Sequence, residues 1–241
     1  MPISKKVKNS LNGASWVRKM FEEGEAMKKL YGEENVFDFS LGNPNLEPPA
    51  SLKKALKALA DRPIPGMHRY MQNSGYSETR TAIAEYLKEE SGLPFDEKHV
   101  VMTVGAAGGL NIVLKAILDE GDEVIVPSPY FMEFKFYIEN SGGQLRLVDT
   151  REDFSLDLSE IEKAIGAKTK AVLINSPNNP TGVVYDQASL EKLGELLKRK
   201  NHELGKPLYL ITDEAYRRIV FDQIRLPIAF LHYPHTIRVT S

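Results

Sequence analysis

Along most of the chain, short apolar runs alternate with longer stretches whose apolar residues recur at helical spacing. Near the N-terminus, Trp16, Met20, Phe21, Met27 and Leu30 predict a helix over Ser15 to Tyr31, with Ser15 as its N-cap. Val36 to Leu41 predicts a short strand, which runs into the turn-rich loop Gly42-Asn43-Pro44-Asn45. Ser51 to Ala60 predicts a helix that Pro63 to Gly66 break, and Gly75 to Glu90 another, with Ala82, Ile83, Tyr86 and Leu87 on one face. From His99 onward the alternation becomes regular. Strands are predicted over 99–104, 123–126, 144–148, 170–175, 208–212 and 237–240. Helices are predicted over 110–118, 131–140, 159–165 and 188–204. Short apolar strands alternating with amphipathic helices build βαβ units. The expected fold class is therefore α/β, a three-layer, mostly parallel sheet flanked by helices.

Composition narrows the function classes. The 241 residues hold one large domain, or one and a half. A hydrophobic share of 42% is that of a folded chain and excludes a disordered one. Lys+Arg number 31 against 33 Asp+Glu, a net charge of −2, so bulk positive charge for nucleic acid is absent. No apolar run reaches the roughly 18 residues of a membrane span, so no membrane partner is expected. With no cysteine, disulfide frameworks and thiolate metal sites are excluded, and no metal is expected. Lys5, Lys6 and Lys8 lead into no apolar segment, so no secretory signal is expected and the cytoplasm is the default location.

Open α/β sheets bind ligands outside the carboxyl ends of their strands, so the residues that follow each strand carry the chemistry. After 99–104 comes Gly105-Ala106-Ala107-Gly108-Gly109, leading into a helix. Small residues and unpaired N–H groups at a helix start suit a phosphate or carboxylate. A tight turn with close helix packing explains the same residues equally well. The segment is neither the dinucleotide nor the P-loop fingerprint, so NAD and ATP are disfavoured. Later strands end in Asn178-Asn179-Pro180-Thr181-Gly182 and in Thr212-Asp213-Glu214-Ala215-Tyr216. Asp213 follows Tyr209-Leu210-Ile211 at the end of a buried strand, where an ionised carboxylate is costly unless paired. Taken singly it reads as a helix N-cap. Together with Tyr216 three residues on, and Asn179 at a neighbouring strand end, it reads as a site.

These residues resemble the fold-type I pyridoxal-phosphate (PLP) enzymes, specifically the class I/II aminotransferases related to aspartate aminotransferase, from about Phe37 to Ser241. The resemblance rests on Ser176 to Gly182 followed by Thr212 to Tyr216. It rests also on Arg69-Tyr70 followed by Gly75 and the Arg80-x-Ala82-Ile83-Ala84 helix, with Thr79 departing from the family's usual Leu. It implies a PLP-binding large domain over 49–241, incomplete at its C-terminus, preceded over 1–48 by an N-terminal arm and a piece of an incomplete small domain.

The implied activity is transfer of an amino group between an amino acid and a 2-oxo acid. By the same resemblance, the N–H groups of Gly105, Ala106 and Ala107 cradle the phosphate and Ser241 adds a hydroxyl. Tyr70 reaches the phosphate of the other subunit in a homodimer. Asp213 pairs with the pyridine nitrogen and keeps it protonated. Asn179 and Tyr216 bond the phenolic oxygen. Phe131 stacks on the ring, though a core Phe opening a helix fits that position nearly as well. Gly42 and Asn179 face the substrate, and the Asn179–Pro180 bond is cis in relatives. The family's imine-forming lysine lies in a Ser-x-Ser-Lys pattern of which Ile237 to Ser241 supply only the strand and first Ser. That lysine is expected just after Ser241, and the 241 residues alone are expected to be inactive. A non-catalytic PLP-family fragment and a PLP-dependent carbon–sulfur lyase are the alternatives.

Overall fold

The structure is a computed structural model describing residues 3–5, 7–8, 15–39, 42, 46–62 and 64–241. The chain divides into two compact units, 1–69 and 70–241. The first holds helices α1 (Ser15–Tyr31) and α2 (Ala50–Asp61). Ser15 is the first helical residue, and its side chain, like those of Trp16 and Phe21, lies outside the described residues. Of the strand expected over 36–41, the described residues 36–39 form none, and Ser40 lies outside the described residues. Residues 36–39 are irregular, Phe39 is 93% exposed, and among the described residues of this unit no neighbouring strand offers a ladder. Leu41, Asn43, Pro44 and Asn45 lie outside the described residues.

The second unit is a βα alternation. After α3 (Ser77–Ser91) and α4 (Gly105–Ile117) come β1 (Glu123–Ser128), α5 (Glu133–Asn140), β2 (Gln144–Asp149), α6 (Leu158–Ala164), β3 (Thr169–Asn175), α7 (Gln187–Leu204), β4 (Tyr209–Asp213) and β5 (Thr236–Val239). The five strands form one parallel sheet in the order β2-β1-β3-β4-β5. Strand residues alternate between faces with a period of two. Val124, Val126, Ala171, Leu173, Ile211 and Val239 pack with Leu110 and Leu114 of α4 and Phe134 and Ile138 of α5. Their neighbours Ile125, Val172, Ile174 and Leu210 pack with Ile161 of α6 and Leu190, Leu193 and Leu197 of α7. The result is the three-layer α/β fold that the sequence predicts.

Two elements differ from expectation. The apolar run 99–104 is not a strand: Glu97–His99 is a single 3-10 turn and the residues after it join no ladder. Val104 is 93% exposed. A short apolar run carries no pairing information, and the sheet closes on β5 instead. The second difference is α4, which begins at Gly105, so Gly105 to Gly109 form its first turn rather than a separate loop. A Cβ at Gly109 would stand 2.8 Å from Val239 Cγ1 and 3.3 Å from Thr103 Oγ1, so close helix–strand packing requires glycine there. Among the described residues, no helix is long and apolar enough to cross a membrane.

Candidate active site

The strand order reverses between β1 and β3, and the rule for open sheets places a ligand crevice at the carboxyl ends of the strands flanking such a point. A solvent-open cleft of about 360 Å³ lies there. Ala106, Ala107 and Leu110 of α4, Phe131 and Tyr137, Asn175 and Asn179 beyond β3, and Asp213, Ala215 and Tyr216 beyond β4 line it.

Strand parity explains which side chains reach it. Asn175 shares a face with Ala171 and Leu173, and Asp213 with Ile211, and that face is the one covered by α4 and α5. The register sets Asn175 directly opposite Asp213. Asn175 Nδ2–H donates to the Asp213 carbonyl (3.0 Å), and Asn175 Oδ1 accepts from the Asn179 N–H (2.6 Å). One buried amide thus ties the ends of both strands together. Asn179 Nδ2–H donates in turn to Tyr216 Oη (3.2 Å) at the cleft rim, and the Asn179–Pro180 bond is cis.

Asp213 is the chemically exceptional group. It is 6% exposed, and its carboxylate accepts one hydrogen bond, from the Ala215 N–H at 3.3 Å. No cation pairs with it among the described residues. Burial pushes its carboxyl up to about 6, with the Glu214 charge adding to the rise and the Ala215 N–H opposing it. Burial also raises the Tyr137 phenol, helped by the charges of Glu133 and Asp213, so Tyr137 stays a protonated donor at the cleft wall.

Opposite Asp213, the start of α4 is uncapped and has no acidic residue in its first turn. The Gly105 N–H donates to the Thr103 carbonyl (3.1 Å) and the Gly108 N–H to that of Val104 (3.3 Å). The N–H groups of Ala106 and Ala107 have no acceptor among the described residues. They point to an anion at the positive end of the helix dipole.

Of the residues expected at the site, the structure brings together Ala106, Ala107, Phe131, Asn179, Asp213 and Tyr216. Gly105 stands at the start of α4 with φ +65°, its N–H engaged by Thr103. Ser241 lies two residues past β5, exposed and outside the cleft lining. Tyr70 is fully exposed and does not line the cleft. Gly42 is exposed in the first unit. Sequence reasoning did not single out Asn175 or Tyr137. Asn175 is the last residue of a buried strand on the parity of Leu173. Tyr137 lies three residues after buried Phe134 on α5, and both patterns were visible.

Comparison with known proteins gives this arrangement a family. The profile of the aminotransferase class I and II family matches residues 34–241. The chain is 32% identical over 189 residues to a probable aspartate aminotransferase of Methanocaldococcus jannaschii, covering 78% of this chain and 48% of that protein. It is 35% identical over 203 residues to the aspartate/prephenate aminotransferase of Thermus thermophilus, covering 83% and 50%. A crystal structure of an aminotransferase from Eubacterium rectale superposes with a TM-score of 0.93 at 37% identity, covering 100% of this chain and 61% of that one. The chain thus spans about half the length of the curated relatives it matches. The chain belongs to the class I and II aminotransferases, a family of pyridoxal-phosphate enzymes.

Proposed function

We propose that the cleft holds PLP and that the protein transfers an amino group between an amino acid and a 2-oxo acid. The observation that carries this reading is Asp213, a buried carboxylate with a single backbone donor, facing a cleft whose opposite wall is the uncapped start of α4. A buried anion asks for a cation, and two unpaired helix N–H groups ask for an anion. A flat ring carrying a basic nitrogen and a phosphate answers both.

The residues present fit that group one by one. Asp213 would pair with the ring nitrogen and hold a proton on it, because contact with a cation favours the ionised carboxylate. Ala106 and Ala107 would donate their N–H groups to the phosphate. The linked pair Asn179 and Tyr216 would bond the phenolic oxygen, and Phe131 would cover one ring face. When bound, PLP supplies the electron sink for the carbanion at the substrate Cα. Asn175 keeps Asn179 and Asp213 in mutual register, so ring nitrogen and phenolic oxygen are met at once.

The relatives named above make aspartate the first amino donor to test. Tyr70, with its side chain fully exposed, is available to a second copy of the chain, as a homodimer requires. We place the protein in the cytoplasm.

Calorimetric titration of the chain with PLP and with pyridoxal tests the site. PLP binds at 1:1, and pyridoxal, lacking the phosphate, binds at least about tenfold more weakly, the loss of charge-assisted hydrogen bonds. Equal binding of the two, or none of PLP, sinks the reading. Stoichiometric consumption of an added 2-oxo acid separates amino transfer from carbon–sulfur lyase chemistry.

A further inference from the structure

On the face of β4 away from the cleft, four charged side chains close on one another. Arg217, in the turn after β4, donates to Glu90 of α3 through Nη2 (2.7 Å) and Nε (3.0 Å) and to Glu214 through Nη1 (3.1 Å). Arg238 of β5 donates to the second Glu90 oxygen through Nη1 (2.7 Å). Its Nε lies 3.0 Å from Glu214 Oε2, an ion-pair contact without hydrogen-bond geometry. Thr212 Oγ1–H donates to Glu214 Oε1 (3.0 Å), and the Phe230 ring lies 5.8 Å from the Arg238 guanidinium. None of the four charged side chains is more than 16% exposed, and their formal charges cancel.

The arrangement brackets the cofactor-facing residues. Asp213, Ala215 and Tyr216 occupy the turn of which Glu214 and Arg217 are the buried anchors. Within that turn the bonds are local: the Ala215 N–H to Asp213, the Arg217 N–H to the Glu214 carbonyl and the Ile219 N–H to that of Tyr216. The turn is tied to other elements on this face by the ion-paired set, by the Glu214 N–H donating to the Val239 carbonyl (2.8 Å), by the Thr240 hydroxyl donating to the Glu214 carbonyl (3.3 Å) and by Arg217 Nη1–H donating to the Pro227 carbonyl (3.2 Å); of these, the ion pairs alone reach α3. Register pairs Thr212 with Arg238 and Asp213 with Val239, so Arg238 stands behind the turn while Asp213 looks out of it.

We propose that Arg238 and Glu90 are positioning residues for the cofactor cleft: with Arg217 and Glu214 they form a charge-balanced clamp that aims Asp213 and Tyr216. The proposal rests on the PLP reading above. The clamp acts in two ways. It fixes the turn geometrically by spanning α3, the turn and β5. It also cancels the Glu214 charge directly behind Asp213. The groups facing Glu214 are Glu90, Arg217, Arg238 and Thr212; Asp213 looks the other way, and its carboxyl is raised by burial and by the Glu214 charge behind it. Burial pushes Glu214 up, and both arginines pull it back toward the ionised form. With one arginine removed, the uncompensated charge favours a proton on Asp213.

The test is calorimetric titration of the 241-residue chain with PLP between pH 5 and 8.5, in the parent, Arg238→Met, Arg238→Lys and Glu90→Gln forms. Arg199→Met, which breaks two exposed ion pairs of α7, one to Glu162 of α6 and one to Glu203, is the control and binds as the parent does. Arg238→Met weakens binding by about tenfold at pH 7.5, and Glu90→Gln by about threefold, as the loss of charged hydrogen bonds implies. Arg238→Met also moves the acid limb of binding upward by about half a pH unit, because the added negative potential holds the Asp213 proton. Arg238→Lys restores the acid limb and leaves affinity reduced, since it keeps charge and loses the planar fork. Melting curves establish which variants fold. If Arg238→Met does not, Arg238→Lys and Glu90→Gln decide. Folded variants with affinity within about twofold of the parent and an unmoved acid limb overturn the proposal alone. A parent that fails to bind PLP overturns the functional reading, and this proposal with it.

Discussion

Asp213 and Glu214 are consecutive, almost equally buried, and provided for in opposite ways. Glu214 faces the α6–α7 side of the sheet and meets two guanidiniums and a hydroxyl. Asp213 faces the cleft and meets one backbone N–H. Strand parity separates them, since successive residues at a strand end address opposite faces. A protein that needed both carboxylates only for its fold would satisfy both. The difference therefore assigns Glu214 to the scaffold and leaves Asp213 for a partner from outside the chain.

Glu214→Ala attacks the satisfied side and has the largest expected effect. It leaves Arg217 and Arg238 buried with Glu90 as their one carboxylate, and breaking such a set costs about 3–5 kcal/mol of unfolding free energy. Denaturant titration measures it, and a loss below about 1 kcal/mol would show that the ion pairs are worth no more than surface ones. Acid should act on the same set. Burial alone would raise the Glu90 carboxyl, but the Arg238 and Arg217 contacts outweigh it and hold Glu90 below its ordinary 4.5. Its folded value lies below its unfolded one, so its contribution is full above about pH 4.5 and is lost as pH falls through the folded value.

Asp213→Asn attacks the unsatisfied side, and its sign is opposite. The folded value of about 6 lies above the ordinary 3.8, so the ligand-free chain loses stability as pH rises from about 3.8 through 6. A neutral amide can still accept the Ala215 N–H and removes that penalty. At pH 8 the ligand-free variant should gain about 1–3 kcal/mol over the parent, and at pH 4 the gain should vanish. PLP affinity should fall about 10- to 100-fold with the lost charged contact. Melting at the two pH values reads the first effect and calorimetry the second. A variant less stable than the parent at pH 8 would mean that Asp213 has a structural partner after all.

The same contrast shows what could be read from the sequence. Asp213, Tyr216 and Asn179 are legible because a strand-end position and a motif mark them, Ala106 and Ala107 because they follow an apolar run into a helix start, and Phe131 only through the family resemblance. The alternation that identified the buried strands also places Glu214 and Arg238 behind the sheet. It does not say that Glu90, on α3 and far away in sequence, completes their set. That contact is a product of packing between distant elements. The segment 99–104 failed for a related reason, because apolar character marks a candidate strand and only a ladder makes one. In Gly105 to Gly109 the close-packing reading holds at Gly109, which lets α4 approach Val239, while Ala106 and Ala107 line the cleft, where phosphate binding is the reading proposed above.

Tyr216→Phe sharpens the comparison at its smallest scale. The Tyr216 hydroxyl accepts one hydrogen bond, 3.2 Å from Asn179 Nδ2, at a residue that is 38% exposed. Water can replace that contact when the cleft is empty, so deleting the hydroxyl should change unfolding free energy by less than about 0.5 kcal/mol. The bound cofactor would displace that water and require the hydroxyl itself, so PLP affinity should fall about three- to tenfold, the worth of a neutral hydrogen bond. Calorimetry beside a denaturant curve separates the two readouts. A large stability loss with little change in affinity would move Tyr216 to the same side of the comparison as Glu214, because its hydroxyl would then be holding the fold rather than waiting for a ligand.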